Sequence, residues 1–132
     1  MGDGQRTGAL RALALVSGVY DLALAVPMLT FAPMVAAMMG APAPVPVVNA
    51  QLNGAFTLTL AVGYFWAAAD VEARRGYLWI AGVLAKGLGA VLFVADHFLH
   101  ASPPSFLIFV ATDGTLAVVT LVLLLRGRPA AA

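Results

Sequence analysis

Four long apolar segments, separated by short polar or proline-containing stretches, make up most of the chain. They cover approximately residues 10–31, 48–69, 77–98 and 105–125. Each has close to the roughly 20 residues that an α-helix needs to cross the hydrocarbon core of a bilayer. The pattern therefore predicts an all-α integral membrane protein, a four-transmembrane-helix bundle that forms a single domain over residues 1–132.

The breaks between the segments predict short connections. Pro27 and Pro33 are expected to kink or end the first helix, because proline lacks the backbone N–H that a helix interior uses. Residues 34–48, with prolines at alternate positions, predict an extended and exposed loop. The charged residues 70–76 predict a tight turn, so that the second and third helices form an antiparallel hairpin. A further turn is expected at residues 101–105.

The composition supports the membrane class and excludes several classes of function. The sequence is 62% hydrophobic and 10% charged, whereas a soluble domain is about a quarter charged. A net charge of +1 gives no reason to expect a nucleic-acid partner. The chain has no cysteine, which excludes disulfides, thiolate metal sites, iron–sulfur clusters and thiol redox catalysis. A cleaved signal peptide is not favoured, because the first apolar run exceeds the about 7–15 residues of such peptides and contains Asp21.

Basic residues predict the orientation of the bundle. Outside the third segment they fall in three places, namely Arg6 and Arg11, Arg74 and Arg75, and Arg126 and Arg128. With four spans, these three places lie on one side of the membrane, and the other two connections carry no Lys or Arg. The positive-inside rule therefore predicts that both termini are cytoplasmic. Tyr64 and Trp66, near the end of the second segment, are expected at the level of the lipid headgroups.

Three ionisable residues interrupt the apolar segments at a similar depth. Asp21 lies ten residues after Arg11, Lys86 lies eleven after Arg75, and Asp113 lies thirteen before Arg126. At 1.5 Å per residue these spacings correspond to roughly 15, 17 and 20 Å from the cytoplasmic edge. A charge at this depth costs at least about 2.5–3.5 kcal/mol unless it is paired. We therefore expect Asp21, Lys86 and Asp113 to pair in the interior of the bundle.

Other polar residues are expected near this cluster. Tyr20, Thr57 and Thr115 lie at nearby depths where they can form hydrogen bonds, and Asn53 lies closer to the outer face. Two interpretations stay open: the charges fix helix packing, or they form a polar cavity that binds a small molecule or relays protons. The glycines around Lys86, at positions 82, 87 and 89, allow close helix packing or leave room for a ligand.

One group of possible metal ligands lies at the outer end of the third segment. Asp96, His97 and His100 are spaced so that His97 and His100, or Asp96 and His100, can share a helix face. This spacing is a weak candidate for a transition-metal site, because the outer loops offer no further strong ligand. We therefore expect an ordinary solvated helix end there and no metal site. Which cofactor, if any, the protein uses is not indicated.

The layout of the chain resembles small bacterial four-helix membrane proteins of the DoxX-like type. The likeness rests on Gly18-Val-Tyr20-Asp21, Phe31-Ala-Pro33, the turn 70–75, Gly82-Val-Leu-Ala-Lys86-Gly87 and Asp113. The resemblance implies a location in the bacterial cytoplasmic (inner) membrane. Some members of that group are linked to quinone-coupled or redox membrane complexes, but no motif here carries such an activity over.

Two functions follow from these observations. In the first, the protein is a non-enzymatic binding or accessory subunit, whose polar cluster holds a small lipid-like or quinone-like ligand or a partner helix. Such a subunit can act alone, as a homo-oligomer or in a larger complex. In the second, it is a small transporter or proton-conducting protein that uses Asp21, Lys86 and Asp113. Catalysis is not expected, because the sequence contains no Walker loop, Rossmann fingerprint, HExxH or GxSxG motif.

Overall fold

The structure, a computed structural model, describes residues 2–126, and helices account for most of them. Helix α1 spans Asp3–Thr30, α2 spans Ala32–Met38, α3 spans Val48–Ala69, α4 spans Arg75–His100 and α5 spans Leu107–Leu125. Part of α4, Leu78–Ala85, is π-helical, and a 3-10 turn at Pro104–Phe106 precedes α5. No β-strand occurs in the described residues. The predicted all-α class is confirmed, with four helices long and apolar enough to cross a membrane: α1, α3, α4 and α5 with its preceding turn.

The first helix begins earlier than the hydrophobic pattern predicts. Helix α1 starts at Asp3, whereas the apolar segment starts near residue 10. The backbone N–H of Gly2 donates to Oε1 of Gln5 at 3.3 Å, which satisfies one of the free N–H groups at the helix start. The polar first turns also have a partner, because Arg6 and Thr7 both contact Glu72 in the turn after α3.

Part of the predicted extended loop is helical. Pro27 lies inside α1, which ends only at Thr30, and residues 34–38 belong to α2 rather than to a loop. The prediction for these residues was wrong because Pro33 stands in the first turn of α2, where the missing proline N–H would have no helical partner anyway. The chain leaves α2 at Gly40, whose φ of +68° suits glycine. Within the predicted loop, only residues 39–47, which contain the three alternating prolines, lack helical structure.

Contacts between connections fix the up-and-down topology. At one end of the bundle, Arg6 of α1 contacts Glu72, and Nη2 of Arg75 donates to the Leu124 carbonyl at 3.2 Å. At the opposite end, Oγ of Ser105 donates to the Met39 carbonyl at 2.5 Å. The N-terminus, the turn at residues 70–74 and the end of α5 therefore share one end. Arg128, part of the predicted basic C-terminus, lies outside the described residues.

The helices pack as two pairs. Helix α1 runs along α3, and α4 runs along α5, while α1 also contacts α5. Helices α3 and α4 are adjacent in sequence and were predicted to form a hairpin, but their contacts are concentrated in the first half of α4. There Tyr77 donates a hydrogen bond to the Leu60 carbonyl at 2.6 Å and packs edge-on against Tyr64. Because α1 and α5 belong to different pairs, any interaction between them links the two pairs.

Small residues dominate the interior, and large apolar residues cover the outside. The main buried cluster consists of Leu10, Ala14, Tyr64, Ala67, Ala68, Val71, Leu78, Ala81 and Leu124. By contrast, Phe56 is 67% exposed on α3, Leu92 is 67% exposed on α4 and Val118 is 60% exposed on α5. Large exposed apolar areas of this kind are rare on soluble monomers and are typical of helices that pack in lipid.

Candidate functional site

The structure brings Asp21, Lys86 and Asp113 together, and we refer to these three residues as the charged triad. The Lys86 ammonium donates to Oδ1 of Asp21 at 2.7 Å and to Oδ1 of Asp113 at 3.0 Å. The side chains of Lys86 and Asp21 are 6% and 4% exposed, and that of Asp113 is 17% exposed. Because Asp21 lies on α1 while Lys86 and Asp113 lie on α4 and α5, the triad joins the two helix pairs.

A local change in helix geometry precedes Lys86. The π-helical residues Leu78–Ala85 end directly before it, and the Lys86 N–H donates to the Ala81 carbonyl five residues earlier. π-helical turns are rare and frequently lie at functional sites. They rotate the following residues relative to the preceding turns, so the direction of the Lys86 side chain depends on this segment. Nothing in the local sequence predicted the π-helix.

Aromatic rings surround the ammonium group. The Lys86 Nζ lies 4.8 Å from the centre of the Tyr20 ring and 5.7 Å from that of the Tyr64 ring, both within cation–π range. The Tyr20 hydroxyl shares a hydrogen bond of 2.7 Å with the Thr112 hydroxyl, which links α1 to α5 a second time. Thr112 precedes Asp113 in sequence just as Tyr20 precedes Asp21. That neighbouring position was the one signal from which Thr112 could have been identified.

The position of Tyr64 corrects an expectation. Its ring was expected near the headgroups, but it is 1% exposed and packs in the interior beside Lys86. The reason is that α3 packs along α1, which turns this face of α3 inward. Trp66, two residues further along, is 54% exposed and lies under the Arg74 guanidinium at 4.5 Å.

Two buried polar atoms, one in the triad and one beside it, form no hydrogen bond. Oδ2 of Asp21 is buried and unpartnered. The Tyr64 hydroxyl is also buried; it lies beside Ser17 but forms no hydrogen bond of regular geometry. Buried polar groups are nearly always satisfied, so each such atom calls for a physical explanation.

Three further polar residues from the sequence prediction lie apart from the triad. Asn53 is exposed on α3. The hydroxyl of Thr57 donates to the backbone carbonyl of Asn53 at 2.8 Å, within its own helix. Thr115 is exposed on α5. Hydroxyls in helices often bond to the carbonyl four residues earlier, and Thr57 does so here instead of bonding to the charged residues.

The two histidines at the end of α4 form hydrogen bonds with residues close to them in sequence. Nδ1 of His100 lies 2.8 Å from Oδ1 of Asp96, and Nδ1 of His97 donates to the Ser102 carbonyl at 3.0 Å. The second bond closes the turn where Ala101 adopts a left-handed φ of 54°. Between residues 2 and 126, no three His, Asp or Glu side chains are grouped so that they could hold a metal ion.

A separate polar network joins α1, the turn after α3 and the start of α4 at the end of the bundle that carries the N-terminus. Glu72 accepts from Thr7 at 2.7 Å and lies 3.3 Å from Arg6 and 3.4 Å from Arg75. The hydrogen bond from Thr7, assisted by the charges of Arg75 and Arg6, lowers the pKa of Glu72. A lowered carboxyl pKa stabilises the folded state above the ordinary Glu range, and this stabilisation is lost as the pH falls through the lowered value. Because Glu72 is largely solvated, the contribution is small.

Two open apolar grooves lie on the outside of α4, away from the triad. One is lined by Trp79, Ile80, Val83, Leu84, Gly87, Leu88 and Val91. The other is lined by Leu92, Phe93, Ala95, Asp96, Leu99 and His100. Neither groove is lined by Asp21, Lys86 or Asp113. The triad itself offers one ammonium and two carboxyl groups, which can pair and exchange protons. Comparisons with protein-family models, curated proteins and solved structures found no match to this chain.

Proposed function

We propose that this chain is a non-enzymatic integral membrane protein that acts as a binding or accessory subunit. The single observation that supports this proposal most is the closed state of the charged triad. The ammonium of Lys86 is occupied by two carboxylates of the same chain, and its side chain is only 6% exposed. A triad whose ammonium is paired with carboxylates on two other helices holds the two helix pairs in one arrangement, as a rigid subunit requires.

The ligand or partner would then bind on the outside of the bundle. The groove from Trp79 to Val91 is lined almost entirely by apolar side chains. Such a surface suits a partner helix, a second copy of this chain or a small lipid-like or quinone-like molecule, because each of these presents apolar area. This placement differs from the expectation that the polar cluster itself holds the ligand.

The experiment that tests this function is native mass spectrometry of the protein extracted from its membrane in mild detergent. We expect a bound hydrophobic molecule or a second polypeptide chain. Leu84→Trp should reduce its retention, because Leu84 is 57% exposed and lines the groove. The matched control is Val118→Trp, at a position 60% exposed on α5. A bare monomer, or equal retention in the two variants, would count against a binding role for this groove.

The proposed orientation places both termini in the cytoplasm of a bacterial cell, with the bundle in the inner membrane. The arginines in the turn after α3 and near the N-terminus support it through the positive-inside rule. The DoxX-like layout of polar positions supports the bacterial inner membrane.

The orientation is testable because the natural sequence has no cysteine. Single cysteines at Ala43 and Ala73 occupy exposed positions at opposite ends of the bundle. In intact cells, a membrane-impermeant maleimide should label the cysteine at position 43 and leave that at position 73 unlabelled until the cells are opened. Labelling of both positions from outside would refute the four-span topology.

A second function, a small transporter or proton-conducting protein, is favoured by one specific observation. The triad contains two carboxyl groups for one ammonium, and Oδ2 of Asp21 has no partner. Intramembrane acids of this kind mark proton relays and transport paths in many membrane proteins. Its test is proton flux into liposomes that contain the purified protein: conduction predicts a flux that Asp113→Asn abolishes, and no flux above that of empty liposomes would exclude it.

A further inference from the structure

We propose that the charged triad binds one exchangeable proton, shared between the carboxyl groups of Asp21 and Asp113. The bound form is a neutral carboxylic acid beside the other, ionised carboxylate, and release gives a second carboxylate and a proton to water. The inference deepens the second candidate function, because a conducting protein needs such a site. It rests on insertion of the bundle in a membrane but holds for a non-conducting subunit as well.

The triad contains one more carboxyl group than ammonium groups. With both carboxyls ionised, one ammonium faces two carboxylates, and the triad has a net charge of −1 in an interior where its side chains are 4–17% exposed. A net charge at the centre of a membrane is far more costly than a neutral group. Binding one proton makes the triad neutral. Two acids that share a site therefore take up a proton as a pair, and that proton belongs to neither residue alone.

No other described residue supplies a compensating positive charge. The titratable groups that face the two carboxyls are Tyr20 on α1, Tyr64 on α3, and Tyr77 and Lys86 on α4. Three of these are tyrosines, which are neutral at ordinary pH. The nearest arginine along α1 is Arg11, ten residues and about 15 Å of helix away from Asp21. Lys86 is thus the one cation that contacts the two acids within residues 2–126.

The unpartnered atoms supply a second, independent observation. An ionised carboxylate is stabilised when both its oxygens accept hydrogen bonds. Oδ2 of Asp21 accepts none, and the buried Tyr64 hydroxyl beside the triad does not donate to it. A second negative charge in this cluster would therefore lack the donors that hold buried carboxylates ionised. An unpartnered oxygen costs less on a neutral acid than on a carboxylate, so this environment favours the protonated form.

Asp113 is the less enclosed of the two carboxyl groups. It is the most exposed of the three side chains, and Oδ2 of Asp113 faces Gly89 on α4. A Cβ added at Gly89 would meet only this oxygen, at 4.0 Å, so the glycine leaves that side of the carboxyl uncovered by a side chain. We therefore expect the proton to exchange at Asp113 rather than at Asp21, whose side chain is 4% exposed.

Infrared difference spectroscopy of the purified protein in lipid bilayers tests the inference, because a protonated carboxyl absorbs separately from a carboxylate. The protein, labelled with ¹³C at aspartate side chains, should show one protonated aspartate near neutral pH. Asp113→Asn and Asp21→Asn each leave one carboxylate for Lys86, so each variant should show none. Lys86→Met leaves two acids with no cation and should show two.

The matched control is Asp96→Asn, which removes an acid at the helix end and should leave the single band unchanged. Absence of a protonated aspartate in the natural protein near neutral pH would overturn the inference. So would a band that survives in both triad asparagine variants. A single band without proton flux into liposomes would retain the proton site and exclude conduction, so that the two proposals fail separately. Gly89→Leu, which covers Asp113, should keep the band and slow its exchange in D₂O.

Discussion

Replacing Lys86 by methionine is expected to lower the stability of the protein by an amount that grows with pH. The substitution leaves Asp21 and Asp113 buried without their counter-charge. Breaking a buried pair typically costs about 3–5 kcal/mol when the remaining charge has to stay ionised. In a membrane interior the two acids can take up protons instead, so the loss should be smaller than this at low pH. In the unfolded chain they ionise above the ordinary Asp range, which makes unfolding more favourable as the pH rises.

Thermal unfolding in detergent, followed between about pH 5 and about pH 9, measures this effect. Combining Lys86→Met with Asp21→Asn and Asp113→Asn removes all three charges and should recover much of the lost stability. Such recovery is expected only if the triad holds the helices together by pairing. A Lys86→Met protein as stable as the natural one over the whole range would show that Lys86 has no buried partner.

Replacing Gly63 by alanine is the second change with a large expected effect. A Cβ at this position would overlap the end of the Tyr77 ring, including its hydroxyl. Tyr77 would have to move, which breaks its hydrogen bond to the Leu60 carbonyl and its edge-on contacts with Tyr64 and Trp66. Overpacking and the lost hydrogen bond together should cost roughly 2–4 kcal/mol, offset by about 1 kcal/mol from the better helix propensity of alanine.

The matched control is Gly76→Ala, a helical glycine next to Tyr77 at which an added Cβ meets nothing within 4 Å. It should leave the melting temperature unchanged or raise it slightly. In a double-mutant cycle, Tyr77→Leu should remove most of the additional cost of Gly63→Ala, because the overlapping atoms are gone. Equal melting temperatures for the Gly63→Ala and Gly76→Ala proteins would mean that Tyr77 does not pack against α3 as described.

The four candidate spans could be predicted because they depend on length and apolarity alone. A predominantly apolar run of about 20 residues has few alternatives to a membrane helix, whatever its neighbours do. The same reasoning failed where polar or proline residues had tertiary or positional partners. The first turns of α1 are helical in part because Arg6 and Thr7 contact Glu72, and α2 forms because Pro33 occupies its first turn.

The residues of the charged triad could also be named from the sequence. Their equal depth follows from counting along helices of fixed rise, and an unpaired charge at that depth is too costly to persist. What counting cannot provide is the direction in which a side chain points around its helix. Asn53, Thr57 and Thr115 lie at suitable depths but are exposed or bonded within their own helix. Tyr64 and Thr112, which no depth argument selected, lie beside the charges instead.

The sequence by itself therefore determined the helix class, the number of apolar spans and the identity of the three charged residues within them, because hydrophobicity and rise per residue are local properties. Only the tertiary structure decided which helices pair, which face of each turns inward and which atoms stay unpartnered. Helix pairing depends on close contacts between small residues that are common in all four spans, so no single segment specifies its neighbour. No local signal predicted the π-helix before Lys86, and the unpartnered Oδ2 of Asp21 is defined only by the packing of the helices around one ammonium group.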